Sequence, residues 1–285
     1  MPFISAYLTP HGMQIIPGLE KLYNENFRPL HEAMLKLREE IQKDDPELLV
    51  LLTPHGLALD EAFGIYQTEQ LRGYLPYLRS SNVDGEIKEQ LIIPSDPKIS
   101  VELIPYLKKK KVNVTSITLG STSFPAPLAW GEIVPLYYLT SGEKRTKTII
   151  ISIPKKRFNL DSFSEELVQL GRNLERFFNT KKQKISLIIS ADLAHAHIED
   201  GPFGYHPSAD KLDQLVNDWI STLEKELLFE RIHPLSDTGL ACGLAPITIF
   251  QGVIEAAKET SWVSTSVSYE KPTYFGMSVA YFKKR

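Results

Sequence analysis

Residues 47–56 read Glu-Leu-Leu-Val-Leu-Leu-Thr-Pro-His-Gly (ELLVLLTPHG). The run Glu47–Thr53 is short, continuous and apolar, which is the pattern of a strand buried on both faces. It stops at Pro54, whose ring stiffens the turn, and Gly56 lets the backbone bend sharply. The same tetrapeptide, TPHG, closes a second expected strand at Phe3–Thr9, where it places His11 as the first copy places His55.

Working outward, helical and strand patterns alternate. A helix is expected at Arg28–Lys43 and another at Pro97–Lys109, which leads into a strand at Asn113–Leu119. Thr146–Ile153 (TKTIIISI) is a further buried strand. Ser162 with Glu165 three residues on has the form of a capping box, followed by apolar residues at helical spacing from Phe163 to Phe177. A strand at Ile185–Ala191 is followed by a helix opening at Pro207 and Ser208, with Leu212, Leu215, Trp219, Leu223 and Leu227 on one face. Gly243–Lys258 reads as a helix, and Trp262–Ser268 and Gly276–Phe282 as two closing strands joined by a short link. Strand–helix alternation predicts an α/β domain with a largely parallel sheet covered by helices on both faces. The closing pair is expected to be antiparallel, which makes the sheet mixed. No linker or repeat divides the chain, so residues 1–285 are expected to form one domain.

Composition narrows the function classes. Net charge is −3, so nothing electrostatic favours nucleic acid as a partner. The basic run Lys108–Lys111 falls at a helix end, where lysines complement the dipole. The N-terminal MPFISAYLTPHG lacks the form of a signal peptide, and no apolar run reaches the length of a membrane span. A cytoplasmic location is expected by elimination. Cys242 is the sole cysteine, so no disulfide forms within the chain.

In sheets of this kind ligands gather beyond the carboxyl ends of the strands. His11 and His55 sit there, each in a turn that aims its imidazole, and together they point to one shared metal ion. A strand-ending turn that recurs by chance is the alternative. The segment Ser190-Ala-Asp-Leu-Ala-His-Ala-His197 follows the next strand. Asp192 can orient an imidazole, and His195 would suit acid–base work near neutral pH; a core histidine bonded to Asp192 is the competing reading. His197 is read as a flanking group, and His31, His206 and His233 as structural. A third ligand is needed. Cys242 opens a helix whose dipole would lower a thiol pKa, although a buried inert cysteine fits as well. Asp60, Glu61, Asp192 and Asp237 are the nearby carboxylates. Phe124, Trp130 and Tyr205 could line an aromatic pocket.

Taken in order, His11, TPHG with GIY downstream, WGEIVPLYYL, SADLAHAHIEDGPFGYHP and the late CGLAP resemble the class III extradiol ring-cleavage dioxygenases and their Memo-like relatives. The resemblance spans nearly the whole chain. It implies a non-haem Fe(II) held by His11 and His55, a catecholic substrate opened with O₂, and His195 as the proton-handling histidine. It also implies that a partner subunit or a second copy could close the site. Two positions depart from the family. Ala129-Trp130-Gly131 stands where the family carries Asp-His-Gly, and Ala241-Cys242 stands where its glutamate ligand falls. Memo-like relatives carry a cysteine there, and a His/His/Cys set suits Zn or Cu as well as iron. A metal-binding or interaction protein without ring-cleaving activity, and a zinc hydrolase, are therefore the rival expectations.

Overall fold

The elements, in chain order, are β1 (Phe3–Thr9), α1 (Arg28–Asp44), β2 (Leu48–Thr53), β3 (Phe63–Tyr66), β4 (Gln70–Leu75), β5 (Glu89–Pro94), α2 (Pro97–Lys109), β6 (Val114–Ile117), β7 (Ala126–Pro127), α3 (Trp130–Leu139), β8 (Lys147–Ser152), α4 (Leu160–Phe178), β9 (Ile185–Ser190), α5 (Ser208–Thr222), α6 (Ser236–Gly239), α7 (Leu244–Ala256), β10 (Trp262–Glu270) and β11 (Met277–Lys284). They come from a computed structural model that describes residues 3–19, 26–57, 59–75, 89–140, 145–257 and 261–285.

Eight strands form one sheet in the order β10-β11-β1-β9-β2-β8-β3-β6. The middle four, β1, β9, β2 and β8, are parallel to one another. The closing hairpin β10–β11 joins antiparallel through β11 against β1, so the sheet is mixed as expected. The continuous apolar strands follow from their two-sided burial. Leu48, Val50 and Leu52 point into a core shared with α2, α4, α5 and α7. Leu49 and Leu51 point into the opposite core, with α1 and α3. Each such side chain contributes roughly 1.5–3 kcal/mol by leaving water, so none of the five apolar positions Leu48–Leu52 tolerates a polar residue cheaply. On one flank α4 and α7 touch backbone to backbone: a Cβ at Gly171 would lie 1.9 Å from the Ile249 carbonyl oxygen.

Several expectations need correction. Ser162 does not cap α4. The helix begins two residues earlier at Leu160, and the Ser162 hydroxyl donates back to the Asn159 carbonyl. A turn at Lys155–Phe158 feeds the chain straight into the helix, so the start falls before the serine. The α5 helix ends at Thr222 because Leu223 takes a left-handed conformation (φ 58°), which removes Leu223 and Leu227 from its stripe. The last helix runs Leu244–Ala256, with Gly243 at its N-cap; its expected final residue, Lys258, lies outside the described residues. A second sheet, β5-β4-β7, was not expected at all.

Candidate metal centre

The centre follows from strand register. In the order β1-β9-β2, Thr9 pairs with Ser190 and Leu52 with Ile189, so the three strands end at one level. The residues just beyond, His11, Asp192 and His55, therefore emerge side by side. The His11 and His55 rings meet edge to face at 4.8 Å. Cys242, from the turn before α7, completes the group: one donor atom each from His11, His55 and Cys242 lie within 4.8 Å of one another. In a tetrahedral site with bonds of about 2.0–2.3 Å, neighbouring donors stand roughly 3.3–3.8 Å apart, so only small shifts separate this arrangement from a closed set.

The tautomer of His11 can be deduced. The Ser190 hydroxyl donates to the Gly131 carbonyl at 2.5 Å, so its oxygen must accept from His11 Nδ1–H at 2.9 Å. That leaves the Nε2 lone pair facing Cys242 Sγ at 3.4 Å and Asp192 Oδ2 at 3.1 Å. Asp192 also accepts the backbone N–H of His11 through Oδ1 at 2.9 Å. It thus orients His11, whereas the sequence suggested it for His195. Burial holds His11 well below the usual histidine range, with repulsion from His55 and His195 adding to it. Burial likewise lowers His55 to about 4 and raises Asp192 to about 7. The Cys242 thiol is raised, chiefly by burial and then by Asp192, so the lowering expected from sequence is outweighed. Neutral imidazoles, a buried thiol and a buried carboxyl, all converging, form a donor set that a divalent cation fits.

His55 is held by packing. Its ring lies against Trp130 at 5.1 Å and 34°. Gly131 makes this approach feasible, because a Cβ there would sit 2.9 Å from His55 Cβ and 2.8 Å from Thr53 Oγ1. Beneath the loop, Tyr66 donates to Glu132 at 2.9 Å and accepts the Leu57 N–H at 2.6 Å. Glu132 is buried, which raises its carboxyl to about 8, and its second oxygen takes the Ala129 N–H at 2.5 Å. Half-buried Arg157 acts electrostatically on His11, His55 and Cys242.

His195 opens onto the same cleft, of about 400 Å³, which is lined by His11, Gly12, Met13, Gln14, His55, Trp130, Asp192, His195, Phe203, Tyr274 and Phe275. Its ring stacks on Phe275 at 5.4 Å and 17°, and its Nδ1 is buried with no hydrogen-bond partner among the described residues. Burial lowers it to about 4, so it is neutral at pH 7. His197 points elsewhere: its Nε2 bonds Asp213 at 2.9 Å, which in turn accepts the Ala194 N–H at 2.8 Å. Its connection to the cleft runs through the backbone beside His195. Of the other expected carboxylates, Asp60 pairs with Lys155, Glu61 lies near Lys156, and Asp237 is exposed. Neither Phe124 nor Tyr205 lines the cleft. Ser190, Gly131, Arg157 and the Tyr66–Glu132 pair were missed by the sequence reading. Only Ser190 had a usable signal, as the last residue of a strand expected to end at the site.

The family described as the catalytic LigB subunit of aromatic ring-opening dioxygenase matches residues 5–280. Protein CA_C1420 of Clostridium acetobutylicum is 24% identical over 253 residues, covering 88% of this chain and 52% of its own length. The chain therefore spans about half the length of the curated relative it matches. The crystal structure of protein JW3007 from Escherichia coli K12 superimposes with a TM-score of 0.58 at 15% identity, covering 98% of this chain and 99% of that one. At that identity the likeness concerns the fold.

Proposed function

The chain belongs to the family of catalytic LigB subunits of aromatic ring-opening dioxygenases, and from that premise we propose that it opens a catechol-type ring with O₂ at a non-haem Fe(II) held by His11, His55 and Cys242. The observation that carries the proposal is the convergence of those three donors, two of which, His11 and His55, line a cleft that His195 lines as well. Bound there, the ion would supply a site at which a diol and dioxygen are brought together and activated.

The protein's own side chains do the rest. His11 presents its Nε2 lone pair because Ser190 fixes the proton on Nδ1. His55 is held against Trp130, which restricts its ring. His195, neutral and without a bond to Nδ1, is the group able to take a proton from a diol hydroxyl and return it later. Phe275 fixes its plane. Asp192 holds the loop of His11 and offers a buried carboxyl beside the donors.

A second reading is a metal-binding or interaction protein that opens no ring. Two observations favour it: Trp130 puts an indole where the family has a proton-exchanging imidazole, and a thiol stands in the donor set. The test loads purified protein anaerobically with Fe(II), adds a panel of catechols and admits air, with metal content measured alongside. A yellow ring-fission product supports the proposal. Stoichiometric zinc or copper with no product from any catechol overturns it in favour of the second reading.

A further inference from the structure

The cleft is wider and more aromatic than a single-ring diol requires. Its volume, about 400 Å³, falls within the range of roughly 300–1,000 Å³ typical of sites for drug-sized ligands. Trp130 and Phe203 line it, yet they remain 50% and 52% exposed, so each still offers apolar ring surface. Phe203 meets the edge of His195 at 5.5 Å and lies 5.8 Å from Tyr274, which extends the aromatic wall away from the proposed proton-handling group. Trp130 extends the wall from His55 in the same way.

Charge points in a consistent direction. None of the lining side chains is a lysine or an arginine, and Asp192 supplies an acid. Arg157, although it acts electrostatically on the donors, does not line the cleft. A carboxylated substrate would therefore meet no ion-pairing partner there, among the described residues, and would lose hydration without compensation.

We infer that this site takes an uncharged diol with two fused or linked aromatic rings, its outer ring resting against Trp130 and Phe203. The inference rests on the reading of the cleft as a diol site. Aromatic pairs add affinity beyond the surface they bury, so with that burial the second ring is worth on the order of tenfold or more in affinity.

Trp130 is also the reporter. Trp219 and Trp262 are buried, so it is the exposed one of the three tryptophans. Zinc-loaded protein, which cannot turn over, is titrated with catechol, 3,4-dihydroxybenzoate and 2,3-dihydroxynaphthalene, read by tryptophan quenching and by calorimetry. The naphthalene diol is expected to bind at least about tenfold tighter than catechol, and the carboxylated ring no tighter than catechol. Phe203→Ala, at an exposed position, and Trp130→Ala, read by calorimetry, are each expected to bring that preference toward unity. Equal binding of all three, tightest binding of the carboxylated ring, no binding of any, or a preference that survives both substitutions overturns the inference. Iron-loaded protein separates the two claims. A fused-ring preference without ring opening removes the reaction and leaves the inference standing. Ring opening of single-ring catechols without that preference does the reverse.

Discussion

Oδ2 of Asp192 lies 3.1 Å from Nε2 of His11, and Nε2 carries a lone pair because the other ring nitrogen has its proton bound to Ser190. Two acceptors at that distance require something positive between them. Burial raises the Asp192 carboxyl to about 7, which favours its protonated form as the donor across this gap. With a cation present, the lone pair turns to the metal.

Asp192→Asn tests this relationship. The amide oxygen can still accept the His11 backbone N–H, while its NH₂ donates to Nε2 and occupies the lone pair. Metal affinity should fall by about 10–100-fold, the usual scale for groups that orient ligands. Chelator competition measures it; an unchanged affinity would mean that Nε2 does not face Asp192 in solution.

Gly131→Ala strikes the other histidine. The new methyl would press on His55 Cβ and Thr53 Oγ1 at under 3 Å, with His55 Cα at 3.6 Å behind them. His55 must move, so metal binding should weaken at least tenfold while cooperative unfolding persists, at a cost of about 1–3 kcal/mol. Circular dichroism and metal titration of the same sample separate the two effects.

His195→Gln leaves the donors in place and removes the group that exchanges protons. Metal stoichiometry should match the wild type, and any ring-opening rate should drop about 100-fold or more. A variant that keeps its rate would move the acid–base role to another residue.

His233 provides a pH test away from the centre. It is buried against Thr248, its Nε2 donating to the hydroxyl at 2.9 Å, and burial lowers it to about 4. An unfolded histidine titrates near 6.5, so between those values the unfolded chain binds the extra proton. Stability from this group is complete above about pH 6.5 and is lost as pH falls toward 4. His233→Gln should therefore show a shallower loss of stability across that window in denaturant melts at stepped pH. A slope identical to that of the wild type would refute the assignment.

Much of this arrangement was legible in the chain because it rests on local patterns. Buried strands announce themselves as apolar runs, and the TPHG turns marked two donors. Helix α3 was not expected from the sequence, since it is buried nearly all round and an all-apolar helix carries no stripe. The small sheet β5-β4-β7 pairs short segments far apart in sequence. The partner of Asp192 was misjudged for a related reason. His195 is its neighbour in sequence, but parallel pairing of β1 with β9 brings His11 closer, and register of that kind is decided by the whole sheet. Cys242 was singled out by its place at an expected helix start and by the resemblance, while its raised thiol follows from burial, which the competing reading as a buried cysteine anticipated.

The strand between the two histidine-bearing strands has a consequence for biosynthesis. β9 sits between β1 and β2, although more than 130 residues of chain separate it from β2 in synthesis. Cys242 and His11 are 231 positions apart. A ribosome must therefore release most of the polypeptide before the two histidines can be held at their final spacing, and nearly all of it before the thiol joins them. An ion held by these residues would therefore be acquired by a scaffold whose long-range pairing is already in place, rather than serve as an early template for the nascent chain.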